Sequence, residues 1–502
     1  MSEPLWRPAP QRIAAANVTR FIDCVNARRS AEIADYAALY EWSVENPAEF
    51  WIELAHFADV RADWSTGLAL VDGTRLPGAK WFPGARLNFA ANLLRFRDSS
   101  EALVAVDARG NRRALTYQHL FGQVARVAQG LRAAGVVAGD RVAGLLPNVP
   151  EAAIAMLATA SIGAIWSGCA PDDGIEQWLD HCRQIAPKVL FAVDGCDRGA
   201  GAPGILTQVR QRVPSVELIV GPAGPDAVAF EQFGTAAHDI DFASLPFDQP
   251  LYITRTAHTS SVIHGAGGVL LQQQKEHLLH IDVRRGDRLL VNSACGSPQW
   301  HWLLSALAIG ATLVQYDGAP DSPDASALWR LVDAEAITIL STDAIHLQTL
   351  QRAGEQPGLR HDLKTLRTIL STDPALPPPI YDYVYQYIKA DLLLAAIAGL
   401  AEAAAGFWLS SPVLPVYRGE LQTRGLALQT DVVDESGRPV RGQAGSLVCR
   451  APFPSMPLGF WNDLDRTRYR SAYFERFDNA WYHGDLARTT EHDGIELLSQ
   501  RA

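Results

Sequence analysis

Residues 102–107 read ALVAVD, 115–135 LTYQHLFGQVARVAQGLRAAG, 140–148 DRVAGLLPN, 151–166 EAAIAMLATASIGAIW and 187–194 PKVLFAVD. A short apolar run closed by a turn is the pattern of a buried strand. Apolar residues every three or four positions, ended by a glycine such as Gly135, make an amphipathic helix. Strand and helix therefore alternate, and strands joined through helices lie parallel. The stretch predicts an α/β fold of parallel sheets flanked by helices. The same rhythm continues through VELIV (216–220), ATLVQYDG (311–318), ITILSTD (337–343) and LRTILSTD (366–373).

Outward from this body the texture changes twice. Residues 1–100 are aromatic and helical, with Phe50, Trp51, Leu54 and Phe57 spaced for one helix face. They are read as a helical cap on the main body, 101–413 as the α/β core, and 414–502 as a β-rich subdomain. In the last, LALQTDVVDESGRPV (426–440) and GSLVCRA (445–451) flank an ESGRP turn.

The chain has 502 residues, long enough for more than one hydrophobic unit. Lys and Arg number 44 against 55 Asp and Glu, a net charge of −11. That balance argues against a nucleic-acid or membrane partner. The N-terminus has no basic stretch leading into a long apolar run, and no apolar run is long enough to span a bilayer. Six scattered cysteines without a CxxC read as buried thiols, so a cytoplasmic location is predicted. Only five residues are lysines: Lys80, Lys188, Lys275, Lys364 and Lys389. His277 and His280, three apart, are read as a pair on a solvated helix, and no metal site is predicted.

Several longer stretches are more specific: WRPAPQRIAAANVTRF (6–21), LPGAKWFPGARLNFAANLL (76–94), GAIWSGCAPDDG (163–174), GATLVQYDGAPDSPDASALWRL (310–331), LPVYRGELQTR (414–424), APFPSMPLGFWND (451–463) and RYRSAYF (468–474). Together they resemble the acetoacetyl-CoA synthetase family of the acyl-adenylate-forming superfamily. The resemblance implies the large N-terminal domain of that fold. It also implies a chemistry using ATP, Mg²⁺ and CoA, in which an acid is adenylated and then passed to the thiol.

The same resemblance marks departures. The family's glycine- and hydroxyl-rich phosphate loop falls on YITRTAHTS (252–260), where only Thr256 matches; His264 follows in a matching segment. A glycine-rich turn of the family falls on 370–376, placing Asp373 at a glycine position. The segment for adenine and Mg²⁺ contacts falls on 398–402, ending in Glu402. His483-Gly484-Asp485 matches an element whose aspartate takes ribose hydroxyls, and the chain ends close to the family's hinge, read as loss of the C-terminal lid domain. From these departures the sequence is read as a degenerate homologue that has lost ATP-dependent adenylation. Cofactors are then not expected, although the family implies ATP, Mg²⁺ and CoA.

On that reading the emptied pocket offers His258, Cys295 and Glu402 as a nucleophile–imidazole–carboxylate set for acyl transfer or thioester hydrolysis. Trp300, His301, Trp302 and Asp373 are the substrate-binding candidates, and Thr256, His264 and Asp485 remain from the nucleotide site. The plainer alternative is that Cys295 is a small core hydrophobe and the tryptophans are packing. Three functions stay open: an enzyme on an acyl or β-keto acyl (thio)ester without ATP, a silent scaffold or pseudoenzyme, and an acetoacetate–CoA ligase. A face bared by the missing lid would suit a protein partner or a second copy of the chain.

Overall fold

The computed structural model describes residues 3–64, 67–171, 174–193, 205–221, 227–255, 261–372 and 375–499. After a short helix at Pro10–Ala15, three longer helices open it, α1 (Asn17–Arg29), α2 (Tyr36–Glu45) and α3 (Pro47–Phe57). Phe21 of α1 meets Phe50 and Phe57 of α3 edge-on at 5.5 and 5.3 Å, so the aromatic stripe read from the sequence is the contact that joins them. The helices are tied to the far end of the chain as well: the Tyr36 and Tyr40 hydroxyls donate to the carbonyls of Arg424 and Leu428.

The alternating body follows. It runs β1 (Glu101–Asp107), β2 (Arg112–Thr116), α4 (Tyr117–Ala133), β3 (Arg141–Leu145), α5 (Pro150–Ser161), β4 (Ile165–Cys169), α6 (Ile175–Ile185) and β5 (Val189–Ala192). Then come β6 (Leu218–Gly221), β7 (Val228–Ala229), β8 (Pro250–Arg255), β9 (Ser261–Gly265), α7 (Ala266–Lys275), β10 (Arg288–Val291), α8 (Pro298–Leu304) and β11 (Thr312–Asp317). After β12 (Ile339–Asp343), β13 (Thr368–Thr372), β14 (Leu393–Ala396) and the short α9 (Leu400–Ala403) the chain turns antiparallel. It closes with β15 (Thr430–Val433), β16 (Ala444–Cys449), β17 (Gly459–Phe460), β18 (Trp481–Thr489) and β19 (Ile495–Ser499).

Three of the sheets carry the fold. One has the order β14-β13-β12-β10-β11-β1-β2 and is parallel except for its β1–β2 hairpin. The second, β7-β6-β5-β3-β4-β8-β9-β17, is parallel up to β8 and antiparallel beyond it. The third, β15-β16-β18-β19, is wholly antiparallel. Helix α5 is buried along almost its whole length between the two large sheets, which explains why 151–166 is apolar all round rather than striped. The ESGRP turn has its physical cause in Asp434, whose carboxylate accepts from the backbone N–H groups of Ser436 and Arg438.

Three readings need correction. Cys24, read as a buried thiol, is exposed on α1, whereas Cys169, Cys182, Cys295 and Cys449 are buried. Residues 252–255, taken as part of a loop, are strand β8 paired with β9, as their aromatic and β-branched side chains favour. His277 and His280 are not solvated. Both sit on a π-helical turn continuing α7 and are fully buried, with His277 against the carbonyl of Trp302 at 2.7 Å and His280 against that of Ser410 at 2.8 Å.

Candidate active site

The β8–β9 hairpin is the centre of the site. Tyr252 lies opposite His264, and Arg255 opposite Ser261, so the two strands lead straight into residues 256–260. Thr256 and His258 lie outside the described residues, as does Asp373. Beneath the hairpin Tyr252 is buried, its ring stacked on His301 at 4.2 Å and tilted against His264 at 4.9 Å. His264 Nε2 meets Thr254 Oγ1 at 2.8 Å.

His301 is aimed by its own helix. Ser297 caps α8 by accepting from the Trp300 N–H, with Pro298 at the first helical position. His301 Nδ1 lies 2.8 Å from the Ser297 carbonyl and so carries the proton, leaving Nε2 as a lone pair. Burial pushes His301 down to about 4 and His264 to about 3, so both are neutral near pH 7. The flanking indoles are fixed in the same way. Trp300 Nε1 donates to Asn148 Oδ1 at 3.1 Å and Trp302 Nε1 to Glu276 Oε2 at 2.7 Å.

Cys295 is fully buried in the turn before α8, and Glu402 is half-buried on α9, against which α8 packs. Asp485, on β18, is buried with its carboxylate 3.3 Å from His483 Nε2. The structure thus gathers Trp300, His301, Trp302, Cys295 and His264 around α8 and the hairpin, with Glu402 on the adjoining helix.

A second cluster escaped the sequence reading. His181 of α6 bridges two serines, with Nε2 2.8 Å from Ser167 Oγ and Nδ1 3.0 Å from Ser261 Oγ. Ser167 spends its proton on the Ile253 carbonyl at 2.9 Å, so His181 Nε2 donates to Ser167 and Ser261 donates to Nδ1. Burial lowers His181 to about 4, which keeps this relay uncharged. The one sequence signal was a histidine placed among Trp178, Leu179 and Cys182, on the apolar face of α6.

Among the described residues no three His, Cys, Asp or Glu side chains are grouped to hold a metal ion. A nucleotide-bound Mg²⁺ does not need such a cage, because phosphate oxygens and water fill most of its shell and one or two carboxylates suffice. Glu402, only part-buried, fits that smaller demand. No helix among the described residues is long and apolar enough to cross a membrane.

The chain matches two sequence families, "AMP-binding enzyme" over residues 93–461 and "Acetyl-coenzyme A synthetase N-terminus" over 36–93. It is 42% identical over 512 residues to acetoacetyl-coenzyme A synthetase of Rhizobium meliloti (strain 1021), an alignment covering 98% of this chain and 79% of that protein. Acetoacetyl-CoA synthetase of Gallus gallus is 37% identical over 534 residues, with 99% and 79% covered. Among solved structures, acetoacetyl-CoA synthetase from Streptomyces lividans superimposes with a TM-score of 0.94 at 34% identity, covering 99% of this chain and 80% of that one.

These likenesses overturn the reading of a degenerate protein that has abandoned ATP-dependent adenylation, and with it the pseudoenzyme and ATP-free alternatives. The expected loss of a lid domain finds no support either and is withdrawn. The physical reason the departures misled lies in how such loops work: they hold phosphates through backbone N–H groups, which every residue but proline supplies. Residues 251–268 contain no proline. With 37–42% identity to these relatives along nearly all of its length, the chain belongs to the acetoacetyl-CoA synthetase family of AMP-binding enzymes.

Proposed function

We propose that this chain is an acid–thiol ligase that joins acetoacetate to CoA with ATP. The observation carrying this reading is the 42% identity over 98% of the chain to a protein named for that product. In the reaction a carboxylate oxygen attacks the α-phosphorus of ATP and pyrophosphate leaves; the CoA sulfur then attacks the acyl carbon and AMP leaves.

The residues divide into roles. Backbone N–H groups of the segment between β8 and β9 would take the phosphates, and Asp485 the ribose hydroxyls. Glu402 would hold Mg²⁺, whose chemistry is to neutralise phosphate charge during the transfer. Trp300 and Trp302, with their N–H groups tied to Asn148 and Glu276 and their rings buried, would back an acyl pocket rather than line it. The neutral His181 relay holds the Ser261 hydroxyl at the root of the phosphate segment, which makes His181 a positioning residue.

The test is calorimetric titration with Mg·ATP together with AMP release in the presence of acetoacetate and CoA. The expected result is ATP binding and AMP release that requires both acetoacetate and CoA. Absence of ATP binding together with absence of AMP release would overturn the reading.

A further inference from the structure

The turn between β10 and α8 lies where the first sheet changes direction. The chain leaves β10 for β11 on one side, then returns past β10 to β12 on the other and continues outward through β13 and β14. The connections after β10 and β12 therefore run apart at the carboxyl ends of two adjacent parallel strands. Such a switch point is where open α/β sheets hold small ligands. Ser341 of β12 stands beside Val291, the last residue of β10, so residues 292–299 and 341–343 frame the crevice.

The frame is polar and held in place. Asn292, Ser293, Ser297 and Gln299 are half-buried, whereas Trp300 and Trp302 of the same stretch are buried. Gln299 Nε2 donates to Ser341 Oγ at 2.7 Å, which ties the turn to β12. Ser293 Oγ and Ser297 Oγ lie 2.8 Å apart, and Ser297 Oγ also accepts from the Trp300 N–H at 3.1 Å.

Two donors are left over. The pair of serines has two hydroxyl protons, and their mutual bond uses one. The Gln299 amide has a second hydrogen beyond the one given to Ser341. Among the described residues no protein acceptor takes either of them. Both belong to part-exposed side chains and can meet a ligand. The frame contains no Lys, Arg or His, and its one charged side chain is Asp343. It therefore repels a carboxylate and suits a neutral group that offers lone pairs.

We propose that this crevice reads the β-keto oxygen of acetoacetate, with the spare hydroxyl proton of the Ser293–Ser297 pair and the spare amide hydrogen of Gln299 donating to its two lone pairs. This assignment rests on the ligase reading and adds to it what selects the acid. Butyrate has the same four-carbon chain without that oxygen, so its binding leaves both donors unpaired.

The test is the ratio of kcat/KM for acetoacetate to that for butyrate, followed as AMP release with ATP and CoA. The parent is expected to favour acetoacetate by about tenfold or more. Gln299→Met keeps the length of the side chain and removes its amide. Ser293→Ala/Ser297→Ala removes both hydroxyls, because either serine alone keeps a free proton. Each variant is expected to lower the ratio by about fivefold. Damage to packing alone lowers both rates together and leaves the ratio where it was. Ser297 also caps α8, so if the double variant unfolds, Gln299→Met decides by itself. A parent ratio near one, or a ratio unchanged in Gln299→Met, would overturn the assignment while leaving the ligase reading intact. No AMP release by the parent with either acid would overturn both.

Discussion

Glu276 shows how a single side chain can hold the acyl end of the site in place. Its buried carboxylate accepts from Gln272 Nε2 at 2.7 Å, from the Gly406 N–H at 2.9 Å and from Trp302 Nε1 at 2.7 Å, with Lys275 Nζ 3.7 Å away. These partners come from α7, α8 and the turn after α9, so the carboxylate joins three elements that border the candidate acyl wall. Burial pushes Lys275 down to about 8, against the pull of Glu276. Glu276→Gln keeps the shape but turns an acceptor into a donor facing donors, and it leaves the Lys275 ammonium uncompensated. A loss of roughly 3–5 kcal/mol is expected, measured as a lower urea midpoint at unchanged slope. Adding Lys275→Met to that variant should recover part of the loss, because the stranded charge is gone. A single-variant cost below about 1 kcal/mol would show that the network carries no such load.

At the scale of elements, the two large sheets touch through glycine. Gly296, in the turn between β10 and α8, has φ +83, and an added Cβ would stand 2.1 Å from the Gly168 carbonyl oxygen of β4. Side-chain-bearing residues rarely take that backbone conformation, and the neighbour is backbone that cannot rotate away. Gly296→Ala should therefore cost about 2–4 kcal/mol and loosen α8 relative to the hairpin, seen as a lower thermal midpoint and faster proteolysis. A midpoint within a degree of the parent would refute this close seat. The strand–helix alternation was legible in 102–194 because periods of two and 3.6 differ plainly in a sequence. The hairpin strand was not, because Tyr252–Arg255 was read through its likeness to a loop rather than through its own strand-forming side chains. The His181 relay was hidden for another reason. It joins residues 14 and 80 positions apart, and no local pattern announces that Ser167 and Ser261 will meet one imidazole.

Across the whole molecule the buried histidines set the response to acid. His181, His277 and His301 are pushed by burial to about 4, His264 to about 3, and His280 well below its ordinary range. In the unfolded chain each titrates near its ordinary value of about 6.5. As pH falls from 6.5 towards 4, the unfolded state takes up protons that the folded state refuses, so stability declines. The contribution is fully present above about pH 6.5, is lost through that window, and stops falling once both states are protonated. Each histidine adds at most about 1.4 kcal/mol per pH unit to the slope. Urea midpoints should accordingly drop steeply below pH 6.5, while from pH 7 to 8 they rise only slightly as buried Lys275 begins to lose its proton in the folded state. His301→Asn removes one titrating group, while its amide can still donate to the Ser297 carbonyl that His301 Nδ1 now serves. The level of stability will shift with the altered packing, so the slope is the informative quantity. It should be shallower by about one proton between pH 6 and 4.5. A variant curve parallel to the parent's would mean that His301 is already charged in the folded protein. In that case the lone pair assigned to its Nε2, and the neutral stack on Tyr252, would both be wrong.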